Sequence, residues 1–220
     1  MPWLRNLLAE GLGALFLAAA VIGSGIMAER LSGGNQAIAL LANTAATVAA
    51  LATLIATLGP VGGAHFNPVV SLVAAIRRDL SPTQAAGYGA VQVAGCCAGA
   101  LLANAMFELP LVHASTQVRA GAAQWLSECV ATAGLVLVVV MSPSVREAAW
   151  RVAAWIGGAY WFTASTSFAN PAITIGRSLS DTFAGIRPPD VPACLVAQLA
   201  GGLIGYVIAL ALAPRARDRA

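Results

Sequence analysis

The sequence predicts an all-α membrane protein, with six transmembrane helices and two re-entrant half-helices arranged as an inverted repeat. Three observations predict it. Hydrophobic residues make up 59% of the 220-residue chain and charged residues only 10%, against roughly 25% charged in an ordinary soluble domain. Six apolar stretches approach the ~20 residues that a helix needs to cross the hydrocarbon core. A set of polar and small residues recurs in the same order in the two halves of the chain.

The six stretches are about 5–28, 37–58, 83–106, 122–142, 148–167 and 191–213, and the pieces 61–76 and 168–180 between them are apolar but too short to cross. The first stretch resembles a secretory signal, with Arg5 ahead of an apolar run and Ala18, Ala19 and Ala20 behind it. That run continues past the alanines, carries Glu10, and reads as a retained span. Arginine asymmetry orients the spans. With both termini inside, Arg5, Arg77, Arg78, Arg146, Arg151, Arg215, Arg217 and Arg219 are cytoplasmic, while Arg30, Arg119, Arg177 and Arg187 are outside.

All twelve basic residues, behind a net charge of +3, are arginines set singly or in pairs between apolar runs. A nucleic-acid binder would gather them on one face, so no nucleic-acid partner is expected. Cys96, Cys97, Cys129 and Cys194 sit inside apolar stretches without metal-ligand spacing and read as small buried hydrophobes. No metal and no cofactor are expected. With two histidines, neither beside a carboxylate in sequence, an enzyme is not expected either.

The repeat is read from four features. Glu10 and Glu128 fall early in the first span of their half; Asn67-Pro68-Val69 returns as Asn170-Pro171-Ala172; Gln92 returns as Gln198; and Gly95 with Gly99 return as Gly201 with Gly205. The halves are about 1–107 and 120–213. Three spans per half send the second copy into the membrane from the opposite side, as in many inverted-repeat membrane proteins.

Asn-Pro is a helix start. The Asn side chain caps free N–H groups, and Pro fits the first helical position. Helices over Pro68–Ile76 and Pro171–Leu179 would each rise roughly 13 Å at ~1.5 Å per residue, near half of the ~30 Å hydrocarbon thickness. Entering from opposite faces, they would meet N-terminus to N-terminus. Each terminus carries about half a positive charge, so the meeting point disfavours cations, while the Asn67 and Asn170 amides offer donors to neutral solutes.

Gly62-Gly63-Ala64-His65-Phe66-Asn67-Pro68-Val69 and Ser167-Phe168-Ala169-Asn170-Pro171-Ala172 resemble the two signature loops of the major intrinsic protein family, the aquaporins and aquaglyceroporins. The resemblance covers essentially the whole chain. It implies an aquaporin-like fold, a passive channel for small neutral solutes, and a homotetramer with one pore per subunit in a membrane. Short loops and termini suit a bacterial inner membrane.

The same resemblance places a selectivity filter at Thr47, Gly158, Ser167 and Ile173, counted by family spacing from the Asn-Pro motifs. Water-selective members have a bulky aromatic where Thr47 stands, often a histidine where Gly158 stands, and usually an arginine where Ile173 stands. The expectation is a wide filter without a fixed charge. Thr174 stands where glycerol-type members often carry an aspartate. The Ile-Thr continuation is similar to bacterial aquaglyceroporins linked to arsenic resistance, which move metalloid hydroxides and methylated arsenicals; glycerol and water are the other expected solutes.

Arg177 has two readings. It follows Ile173 by one helical turn, so its guanidinium reaches over the filter or snorkels to the outer interface; snorkelling is the expectation. Glu10, Glu128, Gln92 and Gln198 are expected to brace the re-entrant loops, with a proton or ion relay as the rival role. His65 is expected to hold its loop, with a pH gate as the rival. Gly95, Gly99, Gly201 and Gly205 permit close helix crossings. Trp3, Trp125, Trp150, Trp155 and Trp161 are expected mostly near the interfaces, and Tyr160, Trp161 and Phe162 along the fifth span. The alternative function is an ion- or proton-coupled secondary transporter, for which only the two glutamates could supply a coupling site.

Overall fold

The computed structural model describes residues 2–213. Arg215, Arg217 and Arg219 of the expected cytoplasmic set lie outside the described residues. Eight α-helices follow in order: α1 (Pro2–Leu31), α2 (Gln36–Gly62), α3 (Pro68–Ile76), α4 (Pro82–Met106), α5 (Ala122–Met141), α6 (Val145–Phe162), α7 (Pro171–Arg177) and α8 (Val191–Leu212). All regular structure among the described residues is helical.

Helices α1, α2, α4, α5 and α8 are long and apolar enough to cross a membrane. The expected fifth span, α6, is only 18 residues long and carries Arg146, Glu147 and Arg151 in its first two turns. Arg151 and Glu147 pair at 2.6 Å one turn apart, on a half-exposed face. The helix stops at Phe162 rather than at the expected 167, because Thr163 turns to extended backbone while its hydroxyl bonds the Ala159 carbonyl. Helix α7 likewise ends at Arg177, two residues before the expected Leu179.

Small residues set the packing within each half. A Cβ at Gly95 or Gly99 of α4 would strike the Gly11 or Leu15 carbonyl of α1, and a Cβ at Gly201 or Gly205 of α8 would strike the Cys129 or Ala133 carbonyl of α5. The two glycine pairs thus let α4 lie on α1, and α8 on α5, at backbone-to-backbone distance. The halves then interlock: α2 packs on α6, α7 on α4, and α3 on α8. The interhelical core is mostly alanine, leucine, valine and isoleucine, while large hydrophobics such as Leu8, Phe16, Leu126, Val196 and Val207 point outward, as lipid-facing positions do. Trp155 departs from the interfacial expectation: its indole donates to the Ala131 carbonyl at 2.9 Å and fastens α6 to α5. Trp3 stacks on Tyr88.

Candidate functional site

Two loops lead into the half-helices with matching geometry. Ala64 and Phe66 before α3, and Ser167 and Ala169 before α7, all have positive φ between 47° and 52°. That region costs a non-glycine residue roughly 1–2 kcal/mol, so something must hold it. Glu10 accepts the His65 and Phe66 amides at 2.9 and 2.8 Å. Glu128 accepts the Phe168 and Ala169 amides, both at 2.9 Å. Gln92 donates to Glu10 at 2.8 Å and to Ser71 at 3.0 Å; Gln198 donates to Glu128 at 2.6 Å and to Thr174 at 2.9 Å. Charge-assisted bonds of this kind are what make a buried carboxylate tolerable. His65 adds a contact to Ser71 at 3.1 Å and packs edge-on to Tyr88.

Pro68 and Pro171 open the two half-helices, whose caps are Asn67 and Asn170. The Asn67 carboxamide oxygen accepts the Val69 amide at 2.9 Å, and that of Asn170 accepts the Ala172 amide at 3.0 Å. Their nitrogens cross between the halves: Asn67 donates to the Ala169 carbonyl at 2.7 Å and Asn170 to the Phe66 carbonyl at 2.8 Å. The two N-termini therefore face each other, and each carboxamide keeps one of its two hydrogens uncommitted.

Both asparagines line one cavity of about 100 Å³ between the halves. Its wall is largely apolar, with Val21, Leu51, Leu135, Val152 and Ile156. Polar groups come from Thr47, Asn67, Tyr160, Ser167, Asn170 and Arg177. His65 lines it as well and also lines a second cavity with Arg77 and Asp79, which pair at 3.1 Å.

A model of the major intrinsic protein family matches residues 1–157. The chain is also 52% identical over 210 residues to aquaglyceroporin AqpS of Rhizobium meliloti (strain 1021), covering 94% of this chain and 88% of that protein. The chain belongs to the major intrinsic protein family. A shorter match, 35% identical over 96 residues, links 44% of the chain to 35% of the lens fiber major intrinsic protein of Gallus gallus. The X-ray structure of the aquaglyceroporin from Plasmodium falciparum superposes with a TM-score of 0.72 over 94% of this chain and 95% of that one. At 16% identity that neighbour shares the fold.

Within this family member, the filter positions counted from sequence separate into two groups. Thr47, Ser167 and Ile173 line the cavity. Gly158 does not: it is exposed on the far face of α6, and a Cβ there would meet only the ring of Phe162. Tyr160 stands on the cavity instead, with its hydroxyl 3.4 Å from that of Thr47. The signal was present in the sequence, because Val152, Ile156 and Tyr160 form one i, i+4, i+8 stripe, which excludes residue 158 from the same face. Trp161 and Phe162 are exposed, away from the cavity.

Arg177 overturns the snorkelling expectation. It is 2% exposed, lines the cavity, donates through Nε to the Ala184 carbonyl, and lies 3.4 Å from the centroid of the Phe168 ring. The cavity wall thus carries a guanidinium, contrary to the expected uncharged filter. Arg119, read from sequence only as an outer arginine, is half-buried against the same ring at 5.1 Å.

Proposed function

We propose that this protein is a passive transmembrane channel for small uncharged solutes, with glycerol, metalloid hydroxides or methylated arsenicals as permeants and water as a further one. The observation that carries the reading is the crossed pair of Asn67 and Asn170, each capping its own half-helix and reaching the opposite loop's carbonyl. Two helix N-termini then face the same spot, where partial positive charge repels cations. A neutral hydroxyl can replace one lost solvent hydrogen bond by accepting from the uncommitted carboxamide hydrogens.

In this reading Asn67, Pro68, Val69, Asn170, Pro171 and Ala172 form the pore centre, and Thr47, Tyr160, Ser167, Ile173 and Arg177 the filter. Glu10, Glu128, His65, Gln92 and Gln198 brace the loops. The chain acts as one channel domain, with half-repeats of about 1–107 and 120–213. It sits as a homotetramer in a bacterial inner membrane with both termini cytoplasmic, lipid around its outer faces, and no catalytic step. The bracing supports a channel over a coupled transporter: both oxygens of each glutamate already accept a backbone amide, so neither is free to bind and release a coupling ion.

The test is uptake of labelled glycerol into proteoliposomes with and without an imposed proton gradient. A channel equilibrates glycerol to the same level in both. Accumulation against its own gradient that an uncoupler abolishes would establish the transporter instead.

A further inference from the structure

Half-helix α3 and the first turns of α4 leave an open groove between them on the outside of the bundle. Helix α3 starts at the crossed asparagines and runs outward from Pro68 to Ile76; after a short turn, α4 starts at Pro82 and runs back inward. Pro68, Leu72 and Ile76 recur every fourth residue on α3, and Pro82, Ala86 and Gly89 at helical spacing on α4, so each set forms one stripe. The two stripes border a space of about 540 Å³, and every residue lining it is apolar. No side chain among the described residues fills it. Leu72 and Ile76 are 38% and 45% exposed, and a Cβ on Gly89 would meet no atom within 4 Å.

From Pro68 to Ile76 the groove rises roughly 12 Å at ~1.5 Å per residue, most of the ~15 Å of hydrocarbon that one leaflet contributes. Its mouth, at Ile76 and Pro82, carries cations. Arg77 and Arg78 follow Ile76 directly and both are exposed. Arg77 pairs with Asp79 at 3.1 Å, while Arg78 has no ion pair among the described residues. Arg78 also stands at φ 68°, a helix-end conformation that favours glycine, so the backbone gives no reason for an arginine there. The start of α4 offers no competing anion site, because Ser81 and Gln84 cap each other's backbone N–H groups. An apolar slot one leaflet deep with an uncompensated cation at its mouth matches an acyl chain tied to a phosphate. A second copy of this chain fits less well, since a two-fold contact would set these arginines against their own equivalents.

We propose that the groove between α3 and α4 is a binding site for an anionic glycerophospholipid, with one acyl chain seated against Leu72, Ile76 and Gly89 and the headgroup phosphate held by Arg78, assisted by Arg77. Both arginines belong to the cytoplasmic set of the orientation proposed above, the side on which anionic lipids gather. The site is separate from the pore cavity, and the proposal is independent of which solute the pore conducts.

The experiment is native mass spectrometry of the full chain in detergent, titrated with phosphatidylglycerol or with phosphatidylcholine of the same acyl chains, for wild type, Arg78→Gly and Gly89→Leu. Wild type should hold phosphatidylglycerol about fivefold more tightly than phosphatidylcholine, the worth of one basic residue at an anionic headgroup. Arg78→Gly suits the backbone at that position and should lower phosphatidylglycerol affinity about fivefold while leaving phosphatidylcholine unchanged. Gly89→Leu, placed in open space, should weaken both lipids by filling the slot. Equal affinity of wild type for the two lipids overturns the proposal without recourse to any variant, and so does Arg78→Gly within twofold of wild type. If Gly89→Leu leaves lipid binding intact but changes the mass of the oligomer, the groove holds another copy of the chain and the proposal falls. Because the readout is lipid retention and not flux, none of these results bears on the channel reading, which the glycerol uptake above tests separately.

Discussion

Glu10 and Glu128 are the residues whose burial demands most explanation, and each is answered by two backbone amides and one glutamine. Neutralising either side chain replaces a charge-assisted acceptor with an amide whose NH₂ faces donors. Glu10→Gln and Glu128→Gln should each destabilise the protein by roughly 2–3 kcal/mol and lower the thermal unfolding midpoint in detergent. A midpoint unchanged in both variants would remove the bracing role. These residues are legible in the sequence because a carboxylate inside an apolar span needs a reason and because the two recur at matching places. Tyr160 and Arg177 are harder to read. Counting a fixed number of residues back from Asn170 ignores the helical phase of α6, whose cavity face runs through Val152, Ile156 and Tyr160 and leaves Gly158 exposed. The fate of Arg177 depends on the Ala184 carbonyl and the Phe168 ring, contacts that no local pattern in sequence announces.

At the scale of elements, the half-helices are the most legible part of the fold. Asn followed by Pro fixes a start, and α3 spans Pro68–Ile76 as expected. The crossings of α4 on α1 and α8 on α5 depend on glycines with no room for a Cβ. Gly99→Val and Gly205→Val should each cost roughly 1–3 kcal/mol by overpacking and reduce the folded yield. Gly89→Ala on the same α4 should be neutral or slightly stabilising, because a Cβ there meets nothing within 4 Å. Equal effects at residues 89 and 99 would contradict this account of the crossing.

The loops that bring Thr116 to Asp181 carry a pH-dependent stitch that no sequence pattern announces. Asp181 accepts the Thr116 amide at 2.8 Å, and that bond, first among its causes, holds the carboxyl below the usual carboxylate range. A lowered folded-state pKa means the stitch contributes fully above the ordinary value of ~3.9 and is lost as pH falls through the lowered one. Hydrogen exchange at the Thr116 amide should therefore stay slow from neutral pH down to about 4 and lose protection in stronger acid. In Asp181→Asn the protection should be reduced already at neutral pH; unchanged protection would exclude the carboxylate as its cause.

For the whole molecule, two copies of one plan interlock so that each half completes the other's pore. Glu–Gln clamps, left-handed loop residues and crossed asparagines repeat in both halves. The repeat was visible in sequence because its parts are chemically conspicuous, whereas the cavity's dimensions emerge only from packing across α2, α5 and α6. In the reading proposed above, this cavity is a passive path for neutral solutes. Stopped-flow light scattering of proteoliposomes under a glycerol gradient tests it most directly. Re-swelling should be much faster than in empty liposomes and unchanged by an uncoupler, with Asn67→Asp and Asn170→Asp slowing it by placing a charge on the path. Re-swelling no faster than the bare bilayer, or flux that stops with the uncoupler, would contradict it.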